Sequence, residues 1–300
     1  MGKDRSRLRP TQRVSRGLLP GVERNANLRA APKRGGRAEA PTPLSAGPSG
    51  LAACTITSVP STAATPGRSS AMRLARAVRS VLRDLADPVK APGMQAYMKS
   101  EMPYRGVQTP QLRKALKAAF AAHPLASFAE WREAVLDLWR GALYREERYA
   151  AIELAGCRRY QHFQTMAALP VYEELITSGA WWDYVDAVAS HRIGELLRRY
   201  PLQMGPILRQ WAISNDIWKR RSAILAQLHF KGNTDLKLLY DCILPSLGSS
   251  EFFLRKGIGW ALRQYAWTDP NEVLRFVRQH EAQFSPLTKR EALKNLHLEA

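Results

Sequence analysis

Cysteine is scarce in this sequence: Cys54, Cys157 and Cys242 are the three among 300 residues. None stands in a CxxC or a Cys/His ligand spacing, which argues against a disulfide framework and a zinc site and fits a reducing, cytoplasmic compartment. No run of about eighteen apolar residues occurs, so no membrane-spanning helix is expected. HExxH, GxGxxG, P-loop and GxSxG patterns are all missing, and metal, nucleotide and serine-hydrolase chemistry lose their usual signatures with them. No cofactor or metal is expected. Acid is the other shortage. Against 26 Asp+Glu stand 45 Lys+Arg, a formal net charge of +19. Such an excess suits a polyanionic partner.

Residues 1–71 differ from the rest. The first 39 carry eleven Lys/Arg against Asp4, Glu23 and Glu39, and Pro/Ser/Ala/Gly/Thr text without aromatics follows to Ser70. A segment with so little to bury cannot offset its chain entropy, and it reads as a disordered extension. It fits a basic arm touching phosphates, an Arg- and Ser-rich targeting segment, or a start assigned too early; the last is favoured because Met72 opens the first plausible helix.

From Met72 to Ala300 the pattern is all-α, with no alternating run long enough for a strand. Helix starts are announced by Thr109-Pro110, by Ser127 with Glu130 at capping-box spacing, by Asp269-Pro270, and by Ser285-Pro286. Helices also recur. Arg148, Asp183, Arg220 and Arg255 occupy corresponding positions at steps of 35, 37 and 35 residues. Each is followed by a second amphipathic helix, the unit of a HEAT-like repeat solenoid. Side by side, the first helices of each pair would build a concave basic surface lined with Arg, Lys and Trp.

Three segments on these helices combine indoles with charge. In the first, Trp182 and Asp186 lie four apart and share a face, with Trp181, Val185 and Val188 toward the core. In the second, Trp218 and Arg221 share a face. In the third, Trp260 stands between Lys256 and Arg263, while Phe252, Phe253, Ile258 and Leu262 look inward. A Trp pair alone is most often packing, and an isolated Asp most often a solvated carboxylate. An indole among cations offers a nucleic acid both stacking area and phosphate contacts.

Taken together, these segments resemble the bacterial DNA alkylation repair family, the AlkD-like HEAT-repeat alkylpurine glycosylases. The resemblance runs from Met72 to Leu296. It is carried by Tyr97-Met98-Lys99, Gly106-Val107-Gln108-Thr109-Pro110 and Trp181-Trp182-Asp183-x-Val185-Asp186. Further on it continues through Trp218-x-x-Arg221-x-Ala223-Ile224, Glu251-Phe252-Phe253-x-x-Lys256-x-Ile258-Gly259-Trp260, and Ser285-Pro286-Leu287-x-Lys289-Arg290-Glu291-Ala292. It implies a monomeric, monofunctional glycosylase acting on double-stranded DNA with alkylated bases. The implied catalytic group is Asp186, with Trp182 and Trp260 cradling the sugar and backbone and Arg221 holding phosphate. Tyr97, Gln108, Lys231, Lys256 and Arg263 complete the expected DNA contacts. His229 stands where the family places a lysine, a departure expected to weaken one phosphate contact.

The residue types suit that chemistry. Cleaving an N-glycosidic bond builds positive charge on the sugar. A carboxylate and two indole faces can each stabilise it. No lysine in the motif offers an amine for Schiff-base chemistry. The rival expectation is a non-catalytic HEAT-repeat DNA-binding protein.

Overall fold

The computed structural model describes residues 66–296, and these form helices and turns with no strand. The extension expected over residues 1–71 lies outside the described residues except for its last six. Those six are already helical. The first helix, α1 (Pro66–Asp84), opens six residues before Met72 with a proline, whose fixed φ suits a first helical turn. Ala71 is fully buried in the core, so the expected boundary at 71 is too late.

After α1 come α2 (Ala91–Met98), α3 (Thr109–Ala122), α4 (Phe128–Arg140), α5 (Arg145–Ala155), α6 (Leu169–Gly179) and α7 (Trp182–Ala187). The second half holds α8 (Gly194–Arg199), α9 (Pro201–Ala212), α10 (Ile217–Leu225), α11 (Leu236–Ile243), α12 (Phe252–Ala266), α13 (Pro270–Gln279) and α14 (Pro286–Leu293). The start signals act as read at Ser127, Asp269 and Ser285. Their oxygens accept the backbone N–H of Glu130, Glu272 and Thr288 at 3.2, 2.9 and 3.1 Å. Thr109 instead lies inside its helix, capped by Gln108 without a side-chain bond.

Neighbouring helices pack in two series. In one, α3, α5, α7, α10, α12 and α14 follow each other in contact. The four positions that recur in sequence fall on successive members of this series, α5, α7, α10 and α12. Polar bridges cross every joint. Arg113 meets Glu153 at 2.7 Å between α3 and α5, and Arg145 meets Asp183 at 2.5 Å between α5 and α7. Asp186 and Arg221 join α7 to α10, Arg221 and the Phe253 carbonyl join α10 to α12, and Lys256 and Arg263 join α12 to Glu291 of α14. The second series shows the same habit. Arg140 and Glu174 link α4 to α6 at 2.6 Å, Arg209 and Asp241 link α9 to α11 at 2.8 Å, and Tyr240 and Glu272 link α11 to α13 at 2.7 Å.

Apolar packing divides into two clusters that meet at α10. Trp218 and Ala223 belong to the first, with Trp131, Trp139, Tyr172 and Tyr184. Ile224 and Leu225 belong to the second, with Ile258, Leu262 and Phe276. A single turn of α10 therefore contributes to both cores.

A buried carboxylate fixes the approach to α3. Gly106, at φ +87°, brings its backbone where an added Cβ would lie 2.0 Å from the Asp87 carbonyl oxygen. Beside it, fully buried Glu146 accepts the amides of Arg105, Gly106 and Val107 at 2.9–3.1 Å. Replacing Glu146 with alanine strands these donors. Urea unfolding should show a loss of about 3 kcal/mol or more, since each stranded buried donor costs about 1–3 kcal/mol. A loss below about 1 kcal/mol would mean that another acceptor serves the loop.

Candidate active site

The six residues of α7 open a helical run that continues through Val188–Ile193 into α8. Polar partners on either side hold them. Toward α5, the Asp183 carboxylate accepts from Arg145 at 2.5 Å and from the Tyr149 hydroxyl at 2.6 Å. Tyr149 in turn shares a hydrogen bond of 2.8 Å with Tyr104, and the Arg145 guanidinium lies 4.2 Å from the Tyr184 ring centre. Toward α10, Asp186 receives both prongs of Arg221, Nε to Oδ1 at 2.7 Å and Nη2 to Oδ2 at 2.8 Å. This is the bidentate geometry in which arginine binds a carboxylate most strongly. The third nitrogen, Nη1, donates to the Phe253 carbonyl of α12.

Local sequence places Arg221. Asp216 caps α10, its Oδ1 accepting the amides of Trp218 and Lys219 at 2.7 and 3.2 Å. One turn later the arginine emerges beside α7. Trp218 turns inward, its ring 5.0 Å from that of Phe253, which also meets Trp181 at 5.7 Å. Immediately after Asp186 the helix widens into a π-turn, Val188–Ile193, before resuming as α8. Ser190 Oγ donates to the Asp186 carbonyl at 2.7 Å. Widened turns of this kind are frequent at functional sites.

The Asp186 side chain keeps 12% of its surface exposed, and Arg221 is 4% exposed as a residue. Burial pushes the Asp186 carboxyl above the ordinary aspartate value, and the Arg221 charge opposes that rise. Asp183 is raised by the same cause, opposed by Arg145 and Tyr149. Two shielded carboxylates, each facing a buried guanidinium, thus sit three residues apart on one short helix.

The other expected site residues separate into two groups. Trp182 and Trp260 are half-buried, each packed against a core cluster. Tyr97 is 62% exposed, and Gln108 and Lys231 are exposed as well. Arg221, by contrast, is committed. Three of its five N–H donors are spent on Asp186 and Phe253. The guanidinium expected to hold phosphate is first of all the partner of Asp186. Lys256 and Arg263 are likewise occupied, both paired with Glu291 at 2.7 and 2.8 Å. His229 stacks on His191, ring centres 4.8 Å apart. Desolvation in this stack, with cations nearby, pushes His191 down to about 4 and lowers His229 also. Both rings are therefore neutral at pH 7, so His229 does not supply the charge of a lysine. The Asp183 network escaped the sequence reading, although Asp183 stands inside the quoted motif.

The described residues are all helical, and the candidate site is a carboxylate held on both oxygens by arginine, with Trp182 one turn before it on the same helix. The chain belongs to the DNA alkylation repair enzyme family, whose model matches residues 78–296. It is similar to a solved structure from Enterococcus faecalis described as a predicted DNA alkylation repair enzyme. The two share 29% identity and a TM-score of 0.64 over 71% of this chain and 98% of that one. Comparison with curated proteins gives no match.

Removing Arg221 should expose the cost of burying Asp186. Arg221→Ala is expected to lose about 3–5 kcal/mol at pH 7, the usual penalty for leaving one partner of a buried pair alone. The sign with pH then follows. A lone buried carboxylate has a folded-state pKa above its unfolded value, so the folded form binds the extra proton and part of the loss returns as pH falls. Urea midpoints measured at pH 5 and 7 test this. A loss in the variant that does not shrink relative to wild type on acidification would contradict it.

Proposed function

We propose that this protein is a monofunctional DNA glycosylase that removes cationic N3- and N7-alkylated purines from double-stranded DNA. The observation that carries the reading is the Asp186 carboxylate, oriented on both oxygens by Arg221 on the helix that also bears Trp182. Membership of a DNA alkylation repair enzyme family supplies DNA as the substrate. In this proposal the helix pairs stack as a HEAT-like solenoid whose concave face grips DNA. The protein acts there as a monomer in the cytoplasm.

The chemistry follows from charge. As the glycosidic bond lengthens, the sugar becomes oxocarbenium-like. Asp186 stabilises that charge and orients a water toward the anomeric carbon. Trp182 and Trp260 present ring faces to the same cation. Arg221 keeps the carboxylate aimed, and its two remaining N–H groups are those available to a phosphate.

Leaving-group physics sets the substrate class. A purine alkylated at N3 or N7 is already cationic and departs neutral, so it needs no general acid. Uracil or hypoxanthine leaves poorly and normally requires a pocket that reads the flipped base. Among the described residues a cavity of about 530 Å³ is lined by Leu169, Glu173, Ile207, Trp211 and Lys219, and none of Asp186, Trp182 and Trp260 borders it. The sugar-centred route needs no such pocket.

Incubation with DNA carrying N7-methylguanine should release the free base, and duplexes carrying uracil or hypoxanthine should remain intact. Release of either neutral base would refute the sugar-centred mechanism. Asp186→Asn keeps the shape and removes the charge. Single-turnover release should slow on the order of a hundredfold or more, as on loss of one preorganised electrostatic group, while DNA affinity survives. Wild-type release should fall as pH drops through the raised Asp186 pKa, because the protonated acid has no charge to offer. Near-normal release by Asp186→Asn would remove the residue from the mechanism.

A further inference from the structure

Trp260 stands on α12 with Lys256 four residues before it and Arg263 three residues after it. Both cations were expected to hold phosphate. Each is instead bound by one acid, Glu291 of α14, through separate oxygens: Lys256 Nζ to Oε1 at 2.7 Å and Arg263 Nη1 to Oε2 at 2.8 Å. The carboxylate is held in place by the backbone beneath it. Gly259 lets α14 approach so closely that a Cβ there would lie 2.4 Å from the Glu291 Cβ and 3.1 Å from the Thr288 carbonyl oxygen. Glu291 is mostly shielded, with 13% of its side chain exposed, whereas Lys256 keeps 37% and Arg263 23%. Against the desolvation of partial burial, its two ion pairs hold the Glu291 carboxyl below the usual range, so it is charged at neutral pH.

We propose that Glu291 is a specificity-determining residue that withholds Lys256 and Arg263 from DNA phosphates and leaves the Trp260 indole without a free cation on its own face of α12. The inference rests on the reading that this face meets DNA. A free lysine or arginine gains affinity by releasing condensed counterions from the phosphate it neutralises, and each such contact steepens the salt dependence. A cation already neutralised by a carboxylate must first surrender that partner, so it adds little grip. The consequence is a weaker hold on undamaged duplex around Trp260. Discrimination then falls to the indole and to Asp186, which act on the sugar rather than on the charge common to all DNA.

The test measures the affinity of the full chain for a plain, undamaged duplex across a salt series, with no base release involved. Glu291→Gln frees both cations. Its log–log salt slope should steepen by roughly one to two, at about 0.9 per phosphate contact, with affinity several-fold higher at moderate salt. Lys256→Gln in the wild-type background should leave the slope unchanged. Lys256→Gln added to Glu291→Gln should cancel part of the gain. An unchanged slope in Glu291→Gln overturns the proposal. So does a slope flattened by about one in Lys256→Gln alone, a result that stands even if Glu291→Gln folds poorly. Wild type that binds plain duplex but releases no alkylpurine defeats the glycosylase reading and leaves this inference standing. Wild type that binds no duplex defeats both.

Discussion

The site depends on the ion pair between Asp186 and Arg221. A shielded carboxylate in a chain with this excess of base could pair with many cations or become protonated. Here one guanidinium satisfies both of its oxygens and is itself tied to the Phe253 carbonyl of the next helix. That single arginine joins α7, α10 and α12, and it does so at the turn of α10 where the two apolar clusters meet. The geometry of the carboxylate is therefore set by the packing of the whole middle of the chain. Breaking a buried pair costs several kcal/mol, a large fraction of a typical net stability. The carboxylate is consequently held in one position.

An arginine reaching an acid or a backbone carbonyl recurs at every joint of the series from α3 to α14, and it changes what the net charge means. A composition of +19 suggests a surface crowded with free cations. Among the described residues many arginines are instead spent between neighbouring helices: Arg113, Arg145, Arg221 and Arg263 in one series, Arg140 and Arg209 in the other. Exposed pairs of this kind contribute little stability singly. The shielded ones, Arg145–Asp183 and Arg221–Asp186, contribute position, because each leaves its carboxylate a single good geometry. Acid is scarce in this sequence, and much of it stands at the joints.

The helices and their starts were legible in the sequence because capping is local chemistry. Ser127, Asp269 and Ser285 need only the next turn to act. The repeat positions were legible for a related reason: a fixed spacing survives whatever the partner helix does. Pairings were not legible. Nothing in the spacing of Lys256, Trp260 and Arg263 shows that one acid from another helix, some thirty residues on, takes both cations. Nor does it show that Arg221 spends its donors on Asp186 and a carbonyl. Asp183 stood in the motif and at a repeat position, but its partners could not be read from the spacing. Its companions Arg145 and Tyr149 lie more than thirty residues away. The π-turn after Asp186 has no sequence signal that we can identify. The early start of α1 was missed because Ser69, Ser70 and Ala71 look like loop until α3 and α4 cover the helix.

A carboxylate chelated by arginine looks spent, yet the geometry leaves it usable. Each oxygen of Asp186 gives one lone pair to Arg221 and keeps another, and the side chain is not sealed from solvent. Protein and solvent screen the guanidinium's opposing field at a site several ångströms away, while a sugar in contact with the free lone pairs feels the nearer charge most strongly. Burial alone would drive the carboxyl toward its neutral form, in which it could not stabilise a cation. Arg221 opposes that drift and keeps the acid ionised without closing its open side. For the mechanism proposed, the pair thus reconciles two demands that conflict for an isolated aspartate: enough shielding for its field to matter at a sugar, and enough positive charge nearby for the carboxylate to remain an anion.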